Sequence, residues 1–344
     1  MHRSLLAAAA VVAAALAGTA SAAPTNSYGV HPLVSNQAGA APLADPTLVN
    51  GWGLVAGPTT PWWVSDNGAD ASTLYTAGGA KVPLTVSVDG GPTGVVFNGD
   101  GGFLVGGQSA RFIFASEDGA IRGWNPATTG TVAVVTVPAA GGAYKGLTLA
   151  TGALGTQLYA TDFAQGHVDV INSSWQRVST PGGFVDASLP AGYAPFGIQA
   201  IGSQIFVTFA KQGEGIDEVD GQSLGFVDAF DANGFLLGRV AQRGQLNAPW
   251  GLAQAPDDFG RFSGDLLVGN FGDGTVNAYE QLANGRYEHR GQLRTSDGGP
   301  VTIDGLWALE FGHGAPSNGP TNTLFFTAGP DDESNGLFGS ITAG

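Results

Sequence analysis

The residues of this chain best suited to chemistry are oxygen donors that follow short apolar runs. When those runs are aligned, Asp66, Ser116, Asp162, Phe209, Asn270 and Ala328 fall at one equivalent position. Asp66, Asp162 and Asn270 therefore offer hard oxygen ligands, and Asp304 is a fourth candidate. Such donors, in a chain without cysteine or histidines at metal-binding spacing, favour calcium or magnesium over zinc or copper. None of these stretches has the spacing of an EF-hand loop. An Asp in this position can equally cap a turn by accepting bonds from nearby backbone amides.

A second group surrounds a recurring triplet of the form x-Gly-[Leu/Val/Ile]. It contains Trp52, Tyr144, Lys145, Phe196, Trp250 and Asp304. Aromatic rings beside one lysine and one aspartate suit an uncharged, partly planar or carbohydrate-like small molecule, or a protein ligand, because the rings supply contact area and the polar groups fix orientation. Trp52, Phe196 and Trp250 also follow the repeat, so they can serve instead as wedges between structural units. Lys145 is either a base or electrophile with a lowered pKa or the ion-pair partner of Asp304. His31, His167, His289 and His313 are scattered. There is no HExxH, no Gly-x-Ser-x-Gly elbow and no phosphate-binding glycine loop.

The elements that must position these residues follow from the triplets. Trp52-Gly53-Leu54, Thr93-Gly94-Val95, Lys145-Gly146-Leu147, Phe196-Gly197-Ile198, Trp250-Gly251-Leu252 and Asp304-Gly305-Leu306 place their glycines 41, 52, 51, 54 and 54 residues apart. Each opens an apolar strand, followed by a second apolar strand, a turn rich in Gly, Asp and Asn, and a third strand of alternating character such as His167-Val168-Asp169-Val170-Ile171. A fourth strand completes the unit. Four antiparallel strands per repeat predict an all-β, six-bladed β-propeller, with blades near 45–90, 91–140, 141–190, 191–243, 244–300 and 301–344. The sixth repeat lacks an outer strand and residues 28–35 lack a partner. The N-terminal strand is therefore expected to complete the last blade and close the ring. In this geometry both functional groups gather on one face, while His313 falls on the opposite one.

Composition narrows the partners. The 56 glycines exceed the usual share and suit many tight turns. Residues 1–22 read as a secretory leader, with Met1-His2-Arg3, an apolar run over 5–16 and an A-x-A site at Ala20-Ser21-Ala22. The mature chain is expected to be exported to the periplasm or beyond as a monomer, without membrane insertion. With Arg3 removed, 12 basic side chains face 28 acidic ones. That field disfavours nucleic acid and acidic membranes. Without cysteine, thiol catalysis and iron–sulfur clusters are excluded; no haem, flavin or nucleotide site is expected.

The segments Asn50-Gly51-Trp52-Gly53-Leu54, Tyr144-Lys145-Gly146-Leu147, Tyr193-Ala194-Pro195-Phe196-Gly197-Ile198, Ala248-Pro249-Trp250-Gly251-Leu252, Leu267-Val268-Gly269-Asn270-Phe271-Gly272-Asp273-Gly274 and Gly336-Leu337-Phe338-Gly339 carry a resemblance over nearly the whole mature chain. The chain resembles a family of exported, uncharacterised bacterial propellers related to NHL-repeat proteins. More remotely the architecture is similar to sugar lactonases, paraoxonases and amidating lyases, whose fold implies a divalent metal in the central channel. Two functions follow as expectations: a propeller binding a ligand at an acidic, aromatic channel mouth with a structural calcium ion, or a metal-dependent lactonase or esterase.

Overall fold

The computed structural model describes residues 25–344; the leader expected at 1–22 lies outside the described residues. The described residues form six blade sheets of four or five strands, and a small seventh sheet pairs Leu104–Val105 with Gln108–Ser109. Blade one runs Gly51–Val55, Trp62–Asp66, Ala71–Tyr75 and Lys81–Ser87 from the axis outward. The inner strands of the next five blades are Pro92–Phe97, Tyr144–Gly152, Tyr193–Ile201, Pro249–Gln254 and Leu306–Phe311. No helix among the described residues is long and apolar enough to cross a membrane.

Tyr28–Ser35 pairs antiparallel with Leu337–Ala343, from Tyr28 opposite Ala343 to Ser35 opposite Leu337. This is the closure expected from the sequence. The Tyr28 hydroxyl donates to the Phe259 carbonyl at 3.0 Å, and the Tyr28 amide to the Arg294 carbonyl at 2.8 Å, so the strand is also tied to blade five. Apolar layers fill the wedges between blades. Trp63 stacks on Phe112 at 3.9 Å between blades one and two, and Trp62 tilts against Phe325 at 4.8 Å between blades one and six.

The repeated glycine has a physical origin at the axis. A Cβ on Gly53 would lie 2.2 Å from the Thr93 carbonyl oxygen, and one on Gly197 2.2 Å from that of Trp250. In blades one to five the inner strand presses its backbone against its neighbour at Gly53, Gly94, Gly146, Gly197 and Gly251, where a Cβ would lie within 2.8 Å of a neighbouring backbone atom. Register identifies the residue aimed inward from every blade. Gly51 pairs with Asp66 and Leu54 with Val64, leaving a bulge at Trp52. The same register shift occurs in the other five blades. A bulge re-aims a side chain, and these six project Trp52, Thr93, Lys145, Phe196, Trp250 and Trp307 toward the axis.

The sixth repeat is therefore Leu306-Trp307-Ala308-Leu309, three residues later than the Asp304-Gly305-Leu306 expected from the glycine pattern. Leu306 pairs with Ala328 and Leu309 with Phe326, matching Pro249 with Asn270 and Leu252 with Val268 in blade five. Ala308 replaces the glycine. Gly305 has another role: its φ is +62°, and a Cβ there would lie 2.2 Å from the Gly329 carbonyl oxygen.

Candidate functional site: the two ends of the axial channel

Four of the six inward residues, Trp52, Phe196, Trp250 and Trp307, form an aromatic plug across the channel together with Phe271. Trp307 stacks on Trp52 at 3.6 Å and on Phe271 at 4.1 Å, with Phe196 tilted at 5.8 Å. Trp250 meets Trp52 and Trp307 edge-on at 6.5 and 5.9 Å. The Trp307 indole N–H donates to Asn50 Oδ1 at 2.9 Å, and that of Trp250 to the Lys145 carbonyl at 3.1 Å. The buried Trp52 Nε1 has no hydrogen-bond partner.

A charged layer covers the plug where the chain enters each inner strand and turns from second to third strands. Lys145, whose side chain is 1% exposed, places Nζ 2.5 Å from Glu117 Oε1 and 5.0 Å above the Trp52 ring. Glu117 Oε2 accepts from Asn67 Nδ2 at 2.9 Å, and Asn67 Oδ1 accepts from Asn50 Nδ2 at 3.1 Å. Asn50 Nδ2 also donates to Glu333 Oε2 at 2.5 Å. Asp331, Asp332 and Glu333 all take positive φ, between 52° and 63°. Left-handed non-glycine residues of this kind concentrate at functional sites. Glu218 enters from the blade-four insert, whose short strand Glu218–Val219 pairs with Lys211 and Gln212.

One ammonium thus serves several carboxylates. Burial pushes Glu218 up to about 7; Lys145 opposes this shift, while Glu333 and Asp217 add to it. Burial likewise raises Glu333, against the pull of Lys145 and with a push from Glu117. Desolvation and like charge both favour the protonated acid.

At the other end the channel opens into a funnel. A cavity of about 420 Å³ is walled by residues including Leu54, Val95, Phe97, Leu149 and Ala200, with Gln199, Glu310 and His313 among its polar members. A neighbouring compartment of about 250 Å³ shares Gln199, Glu310 and His313. A narrow inner space bounded by Gly53, Gly94, Leu147 and Ile198 continues to Trp250, which forms the floor. His313 lies on this face, as the loop geometry predicted.

The expected site residues separate. Trp52, Lys145, Phe196 and Trp250 converge at the axis. Tyr144 does not: it occupies the position of Gly51, and its hydroxyl bonds Asp169 and Arg177 toward the outer part of blade three. Asp304 is exposed and accepts from the Asp331 amide at 2.9 Å, so the partner of Lys145 is Glu117 rather than Asp304.

The four expected metal ligands are not brought together. Asp66 is buried, accepts from the Thr73 hydroxyl at 3.1 Å and is raised well above the usual carboxylate range by burial. Asp162 accepts the amides of Ala143 at 3.2 Å and Gln165 at 3.0 Å. Asn270 accepts from the Asn247 amide at 3.1 Å and donates to the Gln245 carbonyl at 2.7 Å. Asp162 and Asn270 thus brace turns in blades three and five, whereas Asp66 in blade one makes no capping bond and keeps Oδ2 unpartnered. Among the described residues, Asp162, His167 and Asp169 alone bring three candidate ligand atoms within 4.8 Å of one another. There Arg177 holds Asp169 at 3.1 Å and two amides hold Asp162, an arrangement that does not fit a calcium ion needing six or more oxygens.

Trp307 and Glu310 escaped the sequence reading. Trp307 was legible in principle, since Leu306-Trp307-Ala308-Leu309 echoes Pro249-Trp250-Gly251-Leu252. Glu310 carried no signal of its own.

No family model matches the chain. Two uncharacterised proteins of Acanthamoeba polyphaga mimivirus are each 32% identical to it, over 91% of this chain and 85% and 79% of their own lengths. These relatives are viral, where the motif resemblance implied bacterial ones. Among solved structures, virginiamycin B lyase from Staphylococcus aureus aligns with a TM-score of 0.52 at 13% identity, covering 92% of this chain and 99% of its own. A calcium-binding regucalcin from Agrobacterium tumefaciens gives 0.50 at 13%, over 87% and 92%. A gluconolactonase from Xanthomonas campestris gives 0.50 at 15%, over 92% and 87%. At such identities these structures establish the shared fold alone. By identity over nearly its whole length, the chain belongs to the family of these mimivirus proteins, and its architecture is the six-bladed β-propeller.

Proposed function

We propose that this protein is an exported, NHL-like propeller that binds a small organic cation at the acidic, aromatic mouth of its channel. The observation that carries this reading is the charge balance at the axis, where Lys145 alone faces Glu117, Glu218 and Glu333. Stacked indoles beneath those carboxylates complement an ammonium group, as Trp52 already does for Lys145. The buried Trp52 N–H adds a donor for an oxygen on the ligand. The three glutamates do not bring their oxygens within 4.8 Å of one another, so they match a ligand of several atoms better than a bare ion.

Isothermal titration with tetramethylammonium and n-butylamine at pH 6 and pH 8 tests this. Binding is expected to tighten at pH 8, because Glu218 and Glu333 must lose protons to meet a cation. Glu333→Gln is expected to weaken binding at least fivefold. Absence of saturable binding by either amine, or indifference to Glu333→Gln, would overturn the reading. The alternative, a metal-dependent lactone hydrolase, draws on the names of the gluconolactonase and regucalcin neighbours. A saturable calcium isotherm accompanied by lactone hydrolysis would favour it instead.

A further inference from the structure

The funnel at the opposite end is built from different materials. Its walls are the ends of inner strands together with the loops that follow them, which bring Pro58, Asp100 and His313 to the rim. Leu54, Val95, Leu149 and Ala200 give it an aliphatic side, while Asp100, Thr148 and Gln199 add polar groups around it. Glu310 and His313 interrupt that surface, with His313 Nε2 3.0 Å from Glu310 Oε1 and Nδ1 3.4 Å from the Gly57 carbonyl oxygen. Both ring nitrogens face acceptors, which a doubly protonated imidazolium satisfies. The pair is then neutral as a unit, and each member keeps a side chain partly open to the funnel, at 20% and 33% exposure. The volume of about 420 Å³ falls in the range of small-molecule sites.

We propose that this funnel is a second binding site, for an uncharged molecule with an apolar body and one hydroxyl, of the alkylphenol class. The body lies against the aliphatic walls and the hydroxyl donates to the Glu310 carboxylate. A carboxylate ligand would face Glu310 unfavourably, and a pure hydrocarbon would leave the pair desolvated without a new bond. An open, partly buried Trp250 at the floor supplies an intrinsic fluorophore at the inner end of the space.

The test titrates the full protein with 4-propylphenol, propylbenzene and 4-propylbenzoate, by calorimetry and by tryptophan fluorescence. The phenol is expected to bind saturably with one-to-one stoichiometry, and the other two at least tenfold more weakly. Glu310→Gln is expected to lower phenol affinity at least tenfold while retaining the native circular dichroism spectrum. Ala200→Trp fills the cavity and is expected to abolish binding. Equal affinity for propylbenzene, no saturable phenol binding, or undiminished binding by folded Glu310→Gln would each overturn the proposal. Phenol binding is read whether or not tetramethylammonium binds the opposite mouth, so the two readings fail separately.

Discussion

The two mouths of the channel are made by the same six inner strands and could hardly differ more. Where those strands begin, a bulge in every blade swings one side chain inward, and the turns above contribute Asn67, Glu117, Glu218 and Glu333. That end is packed shut by stacked indoles and a charged network. Where the strands end, aliphatic side chains share an open funnel with the Glu310–His313 pair, Asp100, Thr148 and Gln199. The lesson is that channel character is decided by local backbone register and turn length, not by the propeller fold that both ends share.

The difference should appear first in stability. Trp307→Ala removes the centre of the plug, with its stacks on Trp52 and Phe271 and its bond to Asn50. It is expected to cost about 4 kcal/mol in urea unfolding. Ala200→Trp at the funnel is expected to cost much less, since that residue borders open space. Equal losses at both ends would break the contrast.

Next comes charge. Lys145→Met strands Glu117, Glu218 and Glu333 without their shared cation, and a loss of about 3 kcal/mol is expected at pH 7. The sign with pH is fixed by the raised acids. A carboxyl with a higher pKa folded than unfolded holds extra protons in the native state, so its contribution is fully present below the unfolded pKa and is lost as pH rises through the folded one. Without Lys145 those pKa values climb further, so the gap between variant and wild type should widen from pH 5 to pH 8. Thermal melts across that range check it; a gap that narrows would show that Lys145 does not act on these acids. The smallest effect belongs to the funnel. His313→Gln breaks a partly exposed pair and is expected to cost about 1 kcal/mol or less.

Much of this was legible in the sequence, and the failures are instructive. The six repeats, the alignment of Asp66, Asp162 and Asn270, and the closing strand Tyr28–Ser35 all follow from alternation and turn residues. The sixth register departs from the expectation because glycine does not mark the inner strand in every blade. Glycine is needed there only to admit a neighbouring carbonyl, and at blade six Ala308 occupies the position, while Gly305 answers a left-handed turn nearby. The three-residue offset puts Trp307 rather than Asp304 at the inward position. Tyr144 misled for a related reason: a bulge decides which of two adjacent residues turns inward, and it chose Lys145. Glu310 and His313 are close in sequence, yet nothing in their types or spacing announces that a cavity lies beside them.

The pairing of Tyr28–Ser35 with Leu337–Ala343 also imposes an order in time. A ribosome makes the first of these strands some 300 residues before the second. Five blades can form as they emerge, but the sixth has no complete sheet until Leu337–Ala343 has emerged. Until then an early strand waits with the edge that faces Leu337–Ala343 unpaired, its other edge meeting only the short strand Leu43–Ala44. The ring therefore locks as a late event. A segment made early and secured late leaves the nascent protein most vulnerable to mispairing just before Leu337–Ala343 docks.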